Sequence, residues 1–199
     1  DLAVQFVNQT SRHVFLTGKA GSGKTTFLKH IKTFSLKKLA ILAPTGVAAI
    51  NAGGVTIHSF FQLPLGNFLP DLRELPSWMD GRFYNKKSIF KNFRLAEKKR
   101  ELIRELDMLI VDEVSMVKAD LLDAVDAVLR SVRRKNDVQF GGVQMVFIGD
   151  LYQLPPVVRE DEWDVLGQHY LSPFFFHAKC LQQCDLIYLE LKKIYRQSD

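Results

Sequence analysis

Cysteine is scarce, with only Cys180 and Cys184 in 199 residues. They lie four apart with His177 as the only near histidine, too few ligands for a zinc site, so a reduced compartment inside a cell is the plain reading. Long apolar runs are missing too. No stretch nears the roughly 18 residues needed to cross a bilayer, and the N-terminus lacks the charged-then-apolar order of a secretory signal, which argues against a membrane partner. Bacterial cytoplasm fits such a chain best, with nucleus or mitochondrion as the eukaryotic counterparts. Internal repeats and low-complexity tracts are absent, and the sequence opens on Asp1, so it reads as an excerpt.

What is present suffices for a core. Hydrophobic residues make up 47% of the chain, enough for one domain with a small insertion. The formal net charge is +5, compatible with an anionic partner. Its distribution is more telling. Between Arg82 and Arg104 lie Lys86, Lys87, Lys91, Arg94, Lys98, Lys99 and Arg100, interleaved with Phe83, Tyr84, Phe90 and Phe93. Such a segment suits a sugar-phosphate backbone with stacked bases, and suits a solvated surface helix equally well.

The strongest local signal is GKAGSGKTT, residues 18–26. Gly18, Ala20, Gly21, Ser22 and Gly23 let successive backbone N–H groups turn inward. Lys24 can then reach β- and γ-phosphates, the Thr25 hydroxyl can bind Mg²⁺, and Thr26 completes the motif. The apolar VFLT before the loop reads as a buried strand, and Phe27, Leu28, Ile31 and Phe34 after it fall at helical spacing. That order places phosphate at a helix N-terminus.

Further strands are expected at Leu39–Ala43, Met108–Val111, Val143–Ile148 and Leu186–Leu191. Alternation with helices implies an α/β fold with a mostly parallel sheet flanked by helices. A helix after the third strand shows one apolar face from Val117 to Val132, and Arg130, Arg133, Arg134 and Lys135 suit its C-terminal dipole. The irregular stretch from Leu63 to Asn92 is too long for an ordinary connection and reads as an insertion.

LIVDE delivers Asp112 and Glu113 to the C-terminal edge of the sheet, where ligands bind in open α/β folds. With a phosphate loop on the first strand, Asp112 is placed to hold Mg²⁺ through a water and Glu113 to polarise the attacking water. GDLYQLPPV leaves the next strand in the same way, putting Gln153 where it can sense a γ-phosphate. Arg196 lies just beyond the last strand and could serve as a charge-stabilising finger. A non-motor P-loop NTPase or kinase, and a nucleotide-gated nucleic-acid-binding module, are alternative readings of these residues.

Taken in order, GKAGSGKTT, APTGVAAINAGGVTIHSFF, LIVDEVSM, GDLYQLPPV and YRQ resemble the motor motifs of the Pif-type (petite-integration-frequency) helicases, in the 5′-to-3′ branch of superfamily one. The segment DLLDAVDAVLRSVRRKNDVQFGGVQMVFIGD resembles the family's signature, including its FGG. The resemblance implies a RecA-like P-loop domain, residues 1–62 and 105–199, with an inserted small subdomain at 63–104 acting as a wedge near a duplex junction. It implies ATP and Mg²⁺ as cofactors, with Lys24, Asp112, Glu113, Gln153 and Arg196 catalytic and Thr25 and Asp112 on the metal. It also implies that Thr45, Gly46, Val47, Thr56, His58, Ser59 and Phe60 contact single-stranded DNA, Phe60 by stacking.

The implied partners are single-stranded DNA, duplex or structured junctions, and a second RecA-like domain of the same full-length chain, which otherwise acts as a monomer. No adenine-reading glutamine is evident upstream of the loop, where only Gln5 and Gln9 stand. Motors of this kind hydrolyse ATP in a cleft between two domains. Residues 1–199 alone are therefore expected to bind nucleotide, hydrolyse it slowly and leave duplexes intact. Rapid DNA-stimulated phosphate release by the purified fragment would overturn this.

Overall fold

The computed structural model describes residues 2–92 and 95–194. Its helices are α1 (Leu2–Gln9), α2 (Lys24–Phe34), α3 (Gly46–Ala52), α4 (Ile57–Phe61), α5 (Lys86–Asn92), α6 (Glu97–Glu105), α7 (Ala119–Arg133) and α8 (Glu160–Leu166). Its strands are β1 (Val14–Thr17), β2 (Leu39–Ala43), β3 (Val55–Thr56), β4 (Asn67–Leu69), β5 (Phe83–Asn85), β6 (Met108–Val111), β7 (Gln144–Gly149) and β8 (Ile187–Glu190). Six strands form one sheet in the order β3-β2-β6-β7-β1-β8, with every pairing parallel.

Both faces of this sheet are covered, which explains why β1, β6 and β7 are buried at every position instead of alternating in and out. Alternation survives as a choice between two cores. Val14, Leu16, Met108, Ile110, Val146 and Ile148 point to the side covered by α1 and α2. Phe15, Leu109, Val111, Met145 and Phe147 point to the other side, against α7. In register, Leu16 lies beside Ile148, and Ile110 beside Val146.

The residues between Leu63 and Leu106 join that second core through Phe68, Leu69, Phe83, Tyr84, Ile89 and Ile103. They contain a two-stranded parallel sheet, β4 with β5, in which Asn67 pairs with Phe83. This changes the reading of the basic segment. Phe83 and Tyr84 are buried, so they fill the core and do not present faces to bases. Several of the cations are engaged as well: Arg82 pairs with Asp161, Lys87 with Glu74 and Arg104 with Glu97. Phe93 and Arg94 lie outside the described residues.

Helix α7 carries the apolar face expected of it, and beside that face three acids that the pattern does not reveal as buried. Asp120 accepts from the Phe68 N–H at 2.9 Å, and Asp126 from the Phe140 N–H at 2.6 Å. Asp123 accepts from the N–H groups of Lys179 (3.0 Å) and Cys180 (2.8 Å) and from the Tyr170 hydroxyl (2.8 Å). Burial pushes the carboxyls of Asp120 and Asp123 above the usual carboxylate range. The FGG turn is held by the third acid. Phe140 sits at φ 50°, and a β-carbon on Gly141 would meet the Leu129 carbonyl oxygen at 2.7 Å, so glycine is required there. Arg133 donates from Nη1 to the carbonyls of Ile103, Arg104 and Leu106 and from Nε to Gly141, a structural task for one of the terminal arginines.

His13 ties β1 to β7 by accepting from the Met145 N–H at its Nδ1, 3.0 Å away. That bond requires a bare nitrogen, and burial holds the imidazole below its ordinary pKa of 6.5 against an opposing pull from Asp126. As pH falls below 6.5 the unfolded chain takes up the proton first, so this stability is complete above that pH and lost as pH falls toward the folded-state value. Thermal unfolding between pH 7 and pH 5 should show a steeper loss in the parent than in His13→Asn, whose side-chain oxygen keeps an acceptor without titrating; equal slopes would refute the assignment.

Candidate active site

The phosphate loop, Glu113 after β6 and the loop after β7 open into one pocket of about 920 Å³ at the C-terminal edge of the sheet. Residues 20–26 form its floor, and Glu113 and Gln153 reach it from the neighbouring strands. Gly23 caps α2 at φ 99°, in the left-handed region, with no side chain bonded to the helix's first N–H groups. Those amides stay available to an anion. Ser22 Oγ is buried and has no hydrogen-bond partner among the described residues, which is costly unless a ligand oxygen completes it.

Lys24 folds back over the loop, donating from Nζ to the Gly18 carbonyl at 2.5 Å and the Lys19 carbonyl at 3.2 Å. Glu113 adopts φ 52°, an unfavourable conformation for a residue with a β-carbon. Strain of this kind collects at functional positions, and here it accompanies a carboxylate on the pocket wall. Asp112 sits behind that wall, half-buried. Burial raises its pKa; the Glu113 N–H lowers it, the Glu113 charge raises it again, and Lys24 lowers it. A half-buried carboxylate with Lys24 as its attracting charge is suited to a cation, and Thr25, in the first turn of α2, offers a hard oxygen on the pocket wall.

Gln153 donates from Nε2 to Asp150 Oδ2 at 3.2 Å, and Asp150 also accepts from the Tyr152 N–H at 3.1 Å. Arg196 lies outside the described residues. Five residues on the pocket wall were not expected there from the sequence: Ala3 and Val4 of α1, Phe27 and His30 of α2 and Leu191 after β8. Only the helical spacing of Val4 and Val7 hints at α1, and nothing local says that it closes a pocket.

The residues expected to touch DNA fall beside the same edge. Because Ala43 pairs with Thr56, the ends of β2 and β3 bring Thr45, Gly46 and Val47 alongside Thr56, His58 and Ser59. Thr45 and Thr56 have local duties, accepting from the N–H groups of Ala48 (3.2 Å) and Ser59 (3.3 Å) to cap α3 and α4. Val47 and Ile50 are exposed on α3. His58 is half-buried, with burial and then Lys118 holding its pKa down. Phe60 does not match its expected role. It is 4% exposed, packs edge-on against Phe61, and lies under the Lys99 ammonium at 4.5 Å, so its ring belongs to the core.

A β-carbon on Gly18 would lie 2.4 Å from Ser22 Oγ and 2.8 Å from the Leu191 carbonyl oxygen. Gly18→Ala should therefore weaken binding of a fluorescent ATP analogue by about tenfold or more while leaving far-ultraviolet circular dichroism unchanged. Undiminished affinity would show that the loop does not hold phosphate in this form.

Comparison with known proteins extends the geometry. The chain matches the PIF1-like helicase family over residues 2–72 and 83–199, and the gap falls in the insertion. It is 32% identical over 204 residues to the ATP-dependent DNA helicase RRM3 of Saccharomyces cerevisiae, covering 98% of this chain and 25% of the yeast protein. It is 34% identical to human ATP-dependent DNA helicase PIF1, covering 94% and 25%. The solved structure of Bacteroides Pif1 with ADP-AlF3 and single-stranded DNA superposes with a TM-score of 0.84 at 42% identity, covering 100% of this chain and 42% of that one. Pif1 from Candida albicans follows with a TM-score of 0.70 at 33% identity, covering 98% and 39%. The chain thus spans about a quarter of the length of its curated relatives. With fold, pocket and motif order agreeing along its length, this chain belongs to the PIF1-like helicase family.

Proposed function

We propose that residues 1–199 are the first motor domain of an ATP-driven DNA helicase, moving 5′ to 3′ along single-stranded DNA and opening duplexes. The observation that carries this is the convergence of the phosphate loop, whose Ser22 Oγ has no partner among the described residues, on Glu113 and Gln153 from two adjacent strands. Lys24 exchanges its loop carbonyls for the β- and γ-phosphates, and the first N–H groups of α2 hold the same oxygens. Thr25 and Asp112 would hold Mg²⁺, which when bound supplies positive charge to the phosphates. Glu113 orients a water toward the γ-phosphorus and accepts its proton as the new P–O bond forms and the bond to the β–γ bridging oxygen breaks. Gln153 reports the γ-phosphate through Asp150, and Arg196 neutralises charge in the transition state.

Thr45, Gly46, Val47, Thr56, His58 and Ser59 form the track for single-stranded DNA, by backbone and hydroxyl contacts to phosphate. Residues 63–104 act as a wedge at the duplex junction, set on a motor body of residues 1–62 and 105–199. A second motor domain, for which the relatives have ample length, closes the cleft over the nucleotide. A solved Bacteroides Pif1 structure is bound to single-stranded DNA, and another similar structure shows forked duplex DNA unwound by two coordinating Pif1 helicases. A DNA substrate places the protein in bacterial cytoplasm, or in nucleus or mitochondrion.

The test is ATP turnover with and without single-stranded DNA in the full-length parent. Glu113→Gln should cut DNA-stimulated turnover about a hundredfold or more with ATP binding retained, because it removes the group that takes the water's proton. Turnover indifferent to DNA, or to Glu113, would favour a P-loop enzyme that is not a motor.

A further inference from the structure

The loop that leaves the nucleotide pocket ends on the inserted sheet. Gln153 lines the pocket, and beyond it Leu154-Pro155-Pro156 leads toward Arg159 and α8. Each proline fixes φ, so the path is stiff and transmits displacement without absorbing it. Residues 151–155 are exposed whereas Pro156 is buried. The strap therefore stands off the core at residues 151–155 and returns to it at Pro156 and Val158.

At the far end α8 grips the insertion. Arg159 donates its N–H to Glu162 Oε2 at 3.2 Å and its guanidinium to Oε1 at 2.9 Å, closing the helix's first turn. The same turn reaches outward: Asp161 pairs with Arg82, immediately before β5, the Arg82 carbonyl accepts from the side chain of Asn67, the first residue of β4, at 3.4 Å, and Asn67 in turn helps hold down the pKa of Glu162. Lys118, from the segment leading into α7, donates to Asn67 Oδ1. One polar knot thus joins strap, inserted sheet and motor helix. Its two halves differ in strength. Asn67 is 2% exposed and fixed, whereas the Arg82 and Asp161 side chains are 41% and 56% exposed, and ion pairs of that kind re-form easily.

We propose that this knot is the link by which the nucleotide-facing strap sets the position of the β4–β5 sheet, with Asp161, Glu162 and Lys118 as positioning residues. The inference rests on the ATP-driven motor reading. Gln153 leaving Asp150 for a γ-phosphate shifts the strap where it returns to the core at Pro156 and Val158, and α8 carries the sheet with it because Asp161 holds Arg82, whose carbonyl holds the Asn67 side chain.

The experiment uses the full-length parent, Arg82→Asp, and the swap Arg82→Asp with Asp161→Arg. Three quantities are read: DNA-stimulated ATP turnover, base pairs opened per ATP on a forked duplex, and amide exchange at Phe68 and Tyr84 with a non-hydrolysable ATP analogue. Arg82→Asp should lower base pairs per ATP about fivefold while turnover stays within about twofold, and the swap should restore coupling. The analogue should alter exchange at both amides in the parent and the swap, and not in Arg82→Asp. Unchanged coupling overturns the link, as does a parallel loss of turnover that the swap does not rescue, or exchange in the parent that ignores bound analogue. Failure of the parent to bind the analogue sinks the motor reading and the link with it, which sets that failure apart from the others.

Discussion

Thr17 lies opposite Gly149 where β1 pairs with β7, and Val111 lies opposite Phe147 where β6 pairs with β7. Those two registers decide where three loops, far apart in the chain, emerge. The phosphate loop after Thr17, the acids after Val111 and Asp150 after Gly149 leave the sheet close together on one edge. A slip of one residue would turn Phe147 away from α7 and Ile148 away from α2, exchanging every side chain between the two cores. Apolar burial on both faces supplies the driving force, and register converts it into position. The chemistry at the edge is as accurate as the packing behind it.

Helix α7 plays a comparable part for the polar connections. Asp120, Asp123 and Asp126 each accept backbone N–H groups from a different segment: the insertion, the residues after Lys179 and the FGG turn. Burying a carboxylate is costly, and accepting several donors offsets the cost while leaving few other arrangements available. The helix binds its surroundings through directed bonds as well as through its apolar face, so segments of little regular structure acquire fixed places against the main sheet.

The major strands were legible because burial on both faces writes an uninterrupted apolar run, and the five expected strands differ from the observed ones by a residue or so at their ends. β3, β4 and β5 were not legible, since two or three residues leave no periodicity to read. Lys24, Glu113 and Gln153 could be found because their spacing from glycines and strand ends is local. The walls from Ala3, Val4 and His30 could not, because they arise when α1 packs on α2. Aromatic residues were the ambiguous class: a ring at Phe60, Phe83 or Tyr84 serves a base or a core equally well, and only the packing of distant residues decides. The α7 acids gave no sign of burial for the same reason, their donors lying far off in sequence.

The ammonium of Lys24 already has two acceptors inside its own loop. Any anion that engages the ammonium must displace both carbonyls, and a small one gains in exchange its charge, the helix amides and the Ser22 hydroxyl. A nucleotide brings several phosphates together with a sugar and a base that can lie along Ala3, Val4 and Phe27, so its extra contacts outweigh the displacement. The lysine's self-contact therefore sets a cost that every anion entering the loop must meet, and each further contact along the wall offsets more of it.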